Sequence, residues 1–102
     1  MMKSDPIYSA LTAQLSPAHL TYVAALATTF HRHENLPTWL RSIETYRPET
    51  RREMLLRAAH VFDTAVPDSL AVETLTTLAE KPALFTDVVA VLRSTAALSE
   101  LA

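Results

Sequence analysis

The chain has six prolines and no glycine among its 102 residues. Glycine most readily takes the positive φ angles that tight hairpin turns need, and it lets the backbone approach phosphate groups closely. Its absence argues against a fold rich in β-hairpins and against the glycine-rich loops that bind nucleotides. We therefore expect an all-α fold.

The prolines divide the chain into segments of helical length. Proline suits the first turn of a helix, because the backbone N–H that it lacks would have no intrahelical partner there. Within each segment apolar residues recur at the three- and four-residue spacing of an amphipathic helix. The segments begin near Pro6, Pro17, Pro37, Pro48, Pro67 and Pro82. The sequence predicts a single all-helical domain, residues 1–102, folded as a compact bundle of about six short helices.

The proline spacing also suggests an internal repeat. Pro6 and Pro37 lie 31 residues apart, and so do Pro17 and Pro48. Proteins built from stacked helical hairpins have periods close to this value. The alternative to the compact bundle is therefore a solenoid-like stack of three helical hairpins, begun by Pro6/Pro17, Pro37/Pro48 and Pro67/Pro82.

The composition excludes several classes of protein. With 49% hydrophobic and 20% charged residues, the chain is too apolar for a disordered segment and too charged for an integral membrane protein. Its formal charge of −2 provides no overall positive field, so nucleic-acid binding is not expected in general. The chain has no cysteine, and it does not start with the basic and then apolar pattern of a signal peptide. We expect a cytoplasmic protein without membrane contact.

Two histidines flank an arginine at residues 31–33. On a helix, His31 and His33 point about 200° away from each other, so they cannot bind one metal ion together. We interpret them, with Arg32, as the end of a helix, where positive charge is favourable near the last carbonyl groups. The sequence therefore predicts no metal site.

A run of 25 residues, 6–30, contains no Lys, Arg, Asp or Glu. Depletion of charge with retained aromatic residues is typical of the centre of a protein–protein interface. On this interpretation Tyr22, Leu26 and Thr29, in the second predicted helix, bind a partner. Two alternatives remain open: the run is buried inside the bundle, or it reflects drift in a chain rich in alanine and threonine.

Arginines concentrate in the middle of the chain, where residues 31–60 contain six arginines and four acidic residues. A cluster of guanidinium groups suits an acidic partner or a phosphate-rich ligand. The plainer interpretation is a solvated helix face, because Glu49 and Glu53 neutralise much of the charge. The candidate partner-binding arginines are Arg41, Arg47, Arg51 and Arg52.

No catalytic motif surrounds the serines, and the carboxylates are scattered along the outer faces of the predicted helices. We therefore expect no enzymatic activity and no cofactor. Catalytic groups can nevertheless converge in space without a sequence signature. An unrecognised small-ligand binder or enzyme, with a pocket near Trp39 and Tyr46, stays as an alternative.

These patterns together favour a small non-catalytic protein-interaction module. It would form a homodimer, or act as an adaptor, chaperone or inhibitor, through the uncharged face of the first two predicted helices. The alternative from another class is a small regulator that binds nucleic acid or an acidic partner through the arginine cluster.

Overall fold

A computed structural model describes residues 6–101 and the side chains of residues 7–95. Six α-helices and one 3₁₀ helix make up this part of the chain, which contains no strand. The elements are α1 (Pro6–Gln14), the 3₁₀ helix (Pro17–Tyr22), α2 (Val23–Arg32), α3 (Leu36–Ser42), α4 (Pro48–Thr64), α5 (Ser69–Glu80) and α6 (Pro82–Leu101). The predicted all-α fold is confirmed. The second predicted helix differs in detail, because its first six residues form the 3₁₀ helix.

Proline opens most of the helices, as the sequence predicts. Four prolines are the first residue of a helix and Pro37 is the second residue of α3. Pro67 lies outside any helix, two residues before α5 begins. There Asp68 is the N-cap, and its side chain accepts a hydrogen bond of 3.2 Å from the backbone N–H of Ala71. Asp68 therefore satisfies one of the N–H groups that a helix start leaves without an intrahelical partner.

The helices pack as a bundle and not as a stack of hairpins. Helix α1 packs against α2 and α6, while α2 also packs against α5. Helix α3 packs against α6, and α4 packs chiefly against α5. Because each repeat of a solenoid contacts only its neighbours, contact between the first and last helices shows that the three-hairpin alternative is wrong. The radius of gyration, 13.1 Å, is close to the roughly 13 Å expected for a folded chain of this length.

One hydrophobic core holds the bundle together. Helices α2, α5 and α6 supply much of it, with Phe30, Leu75 and Phe85 among the fully buried side chains. Burial of each such side chain stabilises the fold by about 1.5–3 kcal/mol. The one polar contact described inside this core lies between α2 and α5, where the hydroxyl groups of Thr29 and Thr74 are 3.1 Å apart.

Both ends of the segment from the 3₁₀ helix to α2 are attached to other helices by an aspartate. At the start, Asp87 of α6 accepts a hydrogen bond of 2.9 Å from the backbone N–H of Ser16, and the same oxygen lies 2.9 Å from His19 Nδ1. At the end, His33 Nε2 lies 2.8 Å from Asp68 Oδ2. The two contacts hold this segment against α6 and α5.

Candidate functional site

An open groove lies between α3 and α4. The two helices are neighbours in the chain, but α3 packs against α6 and α4 against α5, so their facing sides are left apart. The groove has a volume of about 860 Å³, which lies within the usual range of roughly 300–1,000 Å³ for binding pockets. Its apolar floor consists of Leu36, Trp39, Met54, Ala58, Val61 and Phe62.

The α4 side of this floor is a continuous apolar stripe. Met54, Ala58, Val61 and Phe62 follow one another at spacings of four, three and one residues, which places them on one face of the helix. The stripe extends over about 12 Å, since a helix rises 1.5 Å per residue. Val61 is 47% exposed, and the other three are partly buried. The stripe therefore covers two to three turns of α4.

Asp68 organises one end of the groove. Its Oδ2 accepts a hydrogen bond of 2.8 Å from His33 Nε2, and its Oδ1 accepts one of 3.2 Å from Arg32 Nη1. The hydrogen bond from His33 lowers the pKa of Asp68 below its ordinary value; burial opposes this shift, and the Ala71 amide and the Arg32 charge add to it. The His33 ring also contacts the Phe62 ring, with 4.4 Å between centroids. This end of the floor is therefore held in place by several contacts.

The histidine pair lies where the sequence predicts the end of a helix. Helix α2 ends at Arg32, and His33 is its C-cap residue, with its backbone N–H bonded to the Thr29 carbonyl. The ring of His33 is bonded to Asp68 of another element, however, and not to the last carbonyl groups of α2. In the part of the chain that the structure describes, no group of three or more His, Asp or Glu side chains is placed to hold a metal ion.

The two arginines that line the groove are both paired with carboxylates, Arg32 with Asp68 and Arg57 with Glu53. Arg32, Arg57, His31 and His33 lie there with one carboxylate, Glu34. Arg57 pairs with Glu53, one turn earlier on α4, with 3.0 Å between Nη2 and Oε2. The Arg57 side chain is 77% exposed, and exposed ion pairs of this kind typically contribute less than about 1 kcal/mol. Little free energy is therefore lost when Arg57 gives up its ion pair with Glu53 for another partner.

The partner-binding residues predicted on α2 and just before it lie mostly inside the chain. Leu26 is 1% exposed and Thr29 is 0% exposed. Both lie where α2 packs on α5, and Tyr22 is partly buried beside them. The prediction that Leu26 and Thr29 contact a partner is corrected accordingly, because this chain already covers them. Tyr22 and Leu26 instead line a small cavity of about 250 Å³ between α2 and α5.

The uncharged run therefore has two sides. Its apolar side, with Leu11, Leu15, Val23 and Phe30, is buried within the chain. Its outer side is exposed and consists mostly of hydroxyl, amide and alanine side chains, including Ser9, Thr12, Ala13, Gln14, Ala18 and Thr21. Of the alternatives that the sequence leaves open, burial inside the bundle accounts for the apolar residues.

One of the four candidate arginines is engaged within the fold, and the other three are exposed. The Arg51 guanidinium lies over the Phe85 ring, 4.6 Å from its centroid, and donates a hydrogen bond of 3.4 Å to the Glu44 carbonyl oxygen. Arg51 is therefore used within the fold. Arg41 lies near the end of α3, while Arg47 and Arg52 flank the first turn of α4, and these three are exposed.

The sequence predicts only some of the residues that line the groove. Trp39 lies in it, where the sequence allowed a pocket, but Tyr46 is exposed and does not line it. Val61 and Arg57 were not predicted as site residues. The signal that points to them is the width of the apolar face of α4, on which Met54 and Val61 form a second stripe beside Leu55 and Ala59.

No protein-family model, curated protein or solved structure matches the chain at a significant level. Among the described residues, no helix combines the length and the apolar character that crossing a membrane requires.

Proposed function

We propose that the protein is a non-catalytic interaction module that binds a helical segment of another protein in the groove between α3 and α4. The observation that carries the proposal is the stripe from Met54 to Phe62, which faces Leu36 and Trp39 across a space that no other described element fills. An amphipathic helix laid into an apolar groove is a common mode of recognition, with anchors at i, i+3 or i+4, and i+7.

The energetics of the groove suit modest affinity. Full burial of a large apolar side chain contributes about 1.5–3 kcal/mol. A dissociation constant of about 1 μM corresponds to about 8 kcal/mol. Apolar side chains of the partner that contact Trp39, Met54, Val61 and Phe62 contribute part of this binding free energy. The conformational entropy that the partner loses on binding subtracts from their contribution. We therefore expect micromolar binding or weaker for a short peptide.

A foreign helix fits the groove better than a second copy of the chain. The large hydrophobic residues exposed on the described surface are Tyr8, Leu20, Tyr46, Val61 and Val66. They are scattered over separate elements, so apart from the α4 stripe that lines the groove itself, no described helix presents an exposed apolar stripe. This favours the adaptor, chaperone or inhibitor form of the proposal over the homodimer.

The alternative of a nucleic-acid-binding regulator has less support. One of its four arginines is engaged by Phe85 and Glu44, and the chain has a net charge of −2. Phosphate binding of useful strength requires several uncompensated cations.

The cytoplasmic location expected from the sequence stays a prediction, which fractionation of cells that express the protein tests.

The proposal is tested by selecting binders from a displayed library of helical peptides against the intact protein. Selected peptides should share apolar residues at i, i+4 and i+7. Binding is then measured by the emission of Trp39, the only tryptophan in the chain. Val61→Asp should weaken binding at least about tenfold, because it places a charge on the apolar floor.

The matched control is Val66→Asp. Val66 is 49% exposed, close to the 47% of Val61, but it lies outside the groove. Unfolding in urea shows whether each variant is folded. The proposal is overturned when the library yields no binder, or when the two aspartate variants weaken binding equally.

A further inference from the structure

We infer that the small cavity between α2 and α5 binds a small organic cation, an ammonium group carried on a short apolar body. The inference is independent of the groove between α3 and α4, which shares no lining residue with this cavity. It is carried by one carboxylate and one aromatic ring, those of Glu73 and Tyr22, in a cavity that is otherwise lined by uncharged residues.

The floor of the cavity is apolar. It is formed by Leu26 and Leu84, which line the cavity and are each 1% exposed. The two threonine hydroxyls on the α5 side each have a hydrogen-bond partner already. Thr74 lies 3.1 Å from the Thr29 hydroxyl, and Thr77 donates to a backbone carbonyl one turn earlier on α5. Such a floor suits the hydrocarbon part of a ligand.

Glu73 is the one charged residue that lines the cavity, and among the described residues it has no ion-pair partner. No Lys, Arg or His lies on α5, and none lines the cavity. Asp68 and Asp87, by contrast, are already bonded to His33 and His19. The exposed carboxylate of Glu73 is therefore available to a ligand. An ammonium group donates hydrogen bonds to it, whereas an anionic ligand meets like charge.

Tyr22 contributes an aromatic ring from the α2 side. It is the N-cap residue of α2, while Glu73 lies on α5, so the two side chains reach the cavity from different helices. The face of an aromatic ring attracts a cation within about 6 Å of its centre. The ring and the carboxylate therefore favour the same charge on a ligand, and a neutral ligand of the same shape gains neither interaction.

The volume of the cavity, about 250 Å³, limits the size of the ligand. Sites for drug-sized molecules have roughly 300–1,000 Å³. The apolar body is therefore small, of the size of a phenyl ring with a two-carbon arm. So few atoms, together with one exposed ion pair, give weak binding, and we expect a dissociation constant of about 1 mM.

Three small molecules with the same phenyl body test the inference. They are 2-phenylethylamine, 2-phenylethanol and 3-phenylpropanoate, which carry a positive charge, no charge and a negative charge at neutral pH. Each is titrated into the intact protein while the amide signals of Ala25, Glu73 and Thr77 are followed by NMR. The amine should bind about fivefold more tightly than the alcohol, and the propanoate should bind most weakly.

Variants assign the preference to the cavity. Glu73→Gln should reduce the ratio of amine affinity to alcohol affinity about threefold. Glu80→Gln removes the same charge from an exposed position of α5 outside the cavity, and it should leave the ratio unchanged. Tyr22→Leu should lower the ratio, whereas Tyr22→Phe, which keeps the ring, should preserve it. Unfolding in urea shows whether each variant is folded.

Four results overturn the inference. Equal affinities for the amine and the alcohol show that the cavity does not select a cation. Equal effects of Glu73→Gln and Glu80→Gln assign the preference to the overall charge of the chain. Shifts that centre on Val61 and Trp39 place the amine in the groove. Shifts that do not saturate at about ten times the expected dissociation constant show that no specific site exists. None of these results bears on the groove, which is tested with helical peptides.

Discussion

The contact between α2 and α5 and the groove between α3 and α4 begin from the same kind of sequence. In each, a helix has apolar residues at three- and four-residue spacing. On α2 the stripe contains Leu26 and Phe30 and is fully covered by the chain. On α4 the stripe contains Met54 and Val61 and remains partly open. Whether an apolar stripe is buried or stays partly open thus depends on whether another helix of the same chain reaches it.

The largest expected difference is in stability. Leu26→Ala should lower the free energy of unfolding by about 2–5 kcal/mol, since it leaves a cavity where α2 meets α5. Leu20→Ala is the control in the same uncharged run, because Leu20 is 41% exposed in the 3₁₀ helix; it should change stability by no more than about 0.5 kcal/mol. Urea denaturation followed by circular dichroism measures both. Equal losses would contradict the burial of Leu26.

Removal of Asp68 should have the next largest effect. Asp68→Ala deletes the cap of α5 and the contacts to His33 and Arg32, and we expect a loss of about 1–3 kcal/mol. It should also loosen the organised end of the groove. Asp63→Ala, at an exposed position of α4, should be nearly neutral by the same denaturation measurement. A neutral Asp68→Ala variant would show that the cluster does not stabilise the fold.

Acid should weaken the contacts that Asp87 and Asp68 make at the two ends of the segment from the 3₁₀ helix to α2. Burial opposes ionisation of Asp87, but the hydrogen bonds from His19 and Ser16 outweigh it, so its pKa, like that of Asp68, lies below the ordinary value of 3.8. A lowered pKa in the folded state means that the ionised form stabilises the fold. This stabilisation is fully present above the pKa of the unfolded chain, near 4. It is lost as the pH falls through the lower pKa values that Asp68 and Asp87 have in the folded state.

Unfolding free energies measured between pH 6 and pH 2 check this dependence. The wild-type protein should lose stability below about pH 4. The variant with both Asp68→Asn and Asp87→Asn should show a shallower dependence over the same range. An unchanged slope in that variant would assign the acid sensitivity to other carboxyl groups.

The smallest effect on stability is expected in the groove. Val61→Ala should change the free energy of unfolding by no more than about 0.5 kcal/mol, because Val61 is half exposed and alanine is a good helix former. Val23→Ala, at a valine of α2 that is 4% exposed, should lower it by about 1–2 kcal/mol. The two valines differ chiefly in whether the chain covers them. A larger loss of unfolding free energy for Val61→Ala than for Val23→Ala would contradict the difference in burial between the two valines.

Helices and their boundaries follow largely from local sequence. Apolar spacing and nearby prolines predict the order of the six helices, although Pro67 lies two residues before α5 and Pro17 opens the 3₁₀ helix that precedes α2. The capping role of Asp68 is also local, because aspartate favours the N-cap and Ser69 then begins α5. Its bonds to His33 and Arg32 are not local, since 35 and 36 residues separate these partners.

The site was harder to predict because helix pairing is a tertiary property. The sequence contains the stripe on α4 but does not reveal that α4 pairs with α5 and leaves Val61 uncovered. The same limit explains Arg51, whose charge is visible in the sequence while its contact with Phe85, 34 positions later, is not. Charge depletion in residues 6–30 indicated burial, but burial by this chain and burial by a partner have the same composition.

The packing of α1 against α6 has a consequence for how the protein is made. Helix α6 also contacts α3 and α5, so three helices that precede it depend on α6 for part of their cover. During synthesis α6 leaves the ribosome after α1, α3 and α5, and until then the apolar faces of these helices remain without it. Such delayed, long-range contacts slow folding and expose apolar surface in the meantime. The packing of α1, α3 and α5 is therefore expected to be completed only after α6 has been synthesised, in one cooperative step.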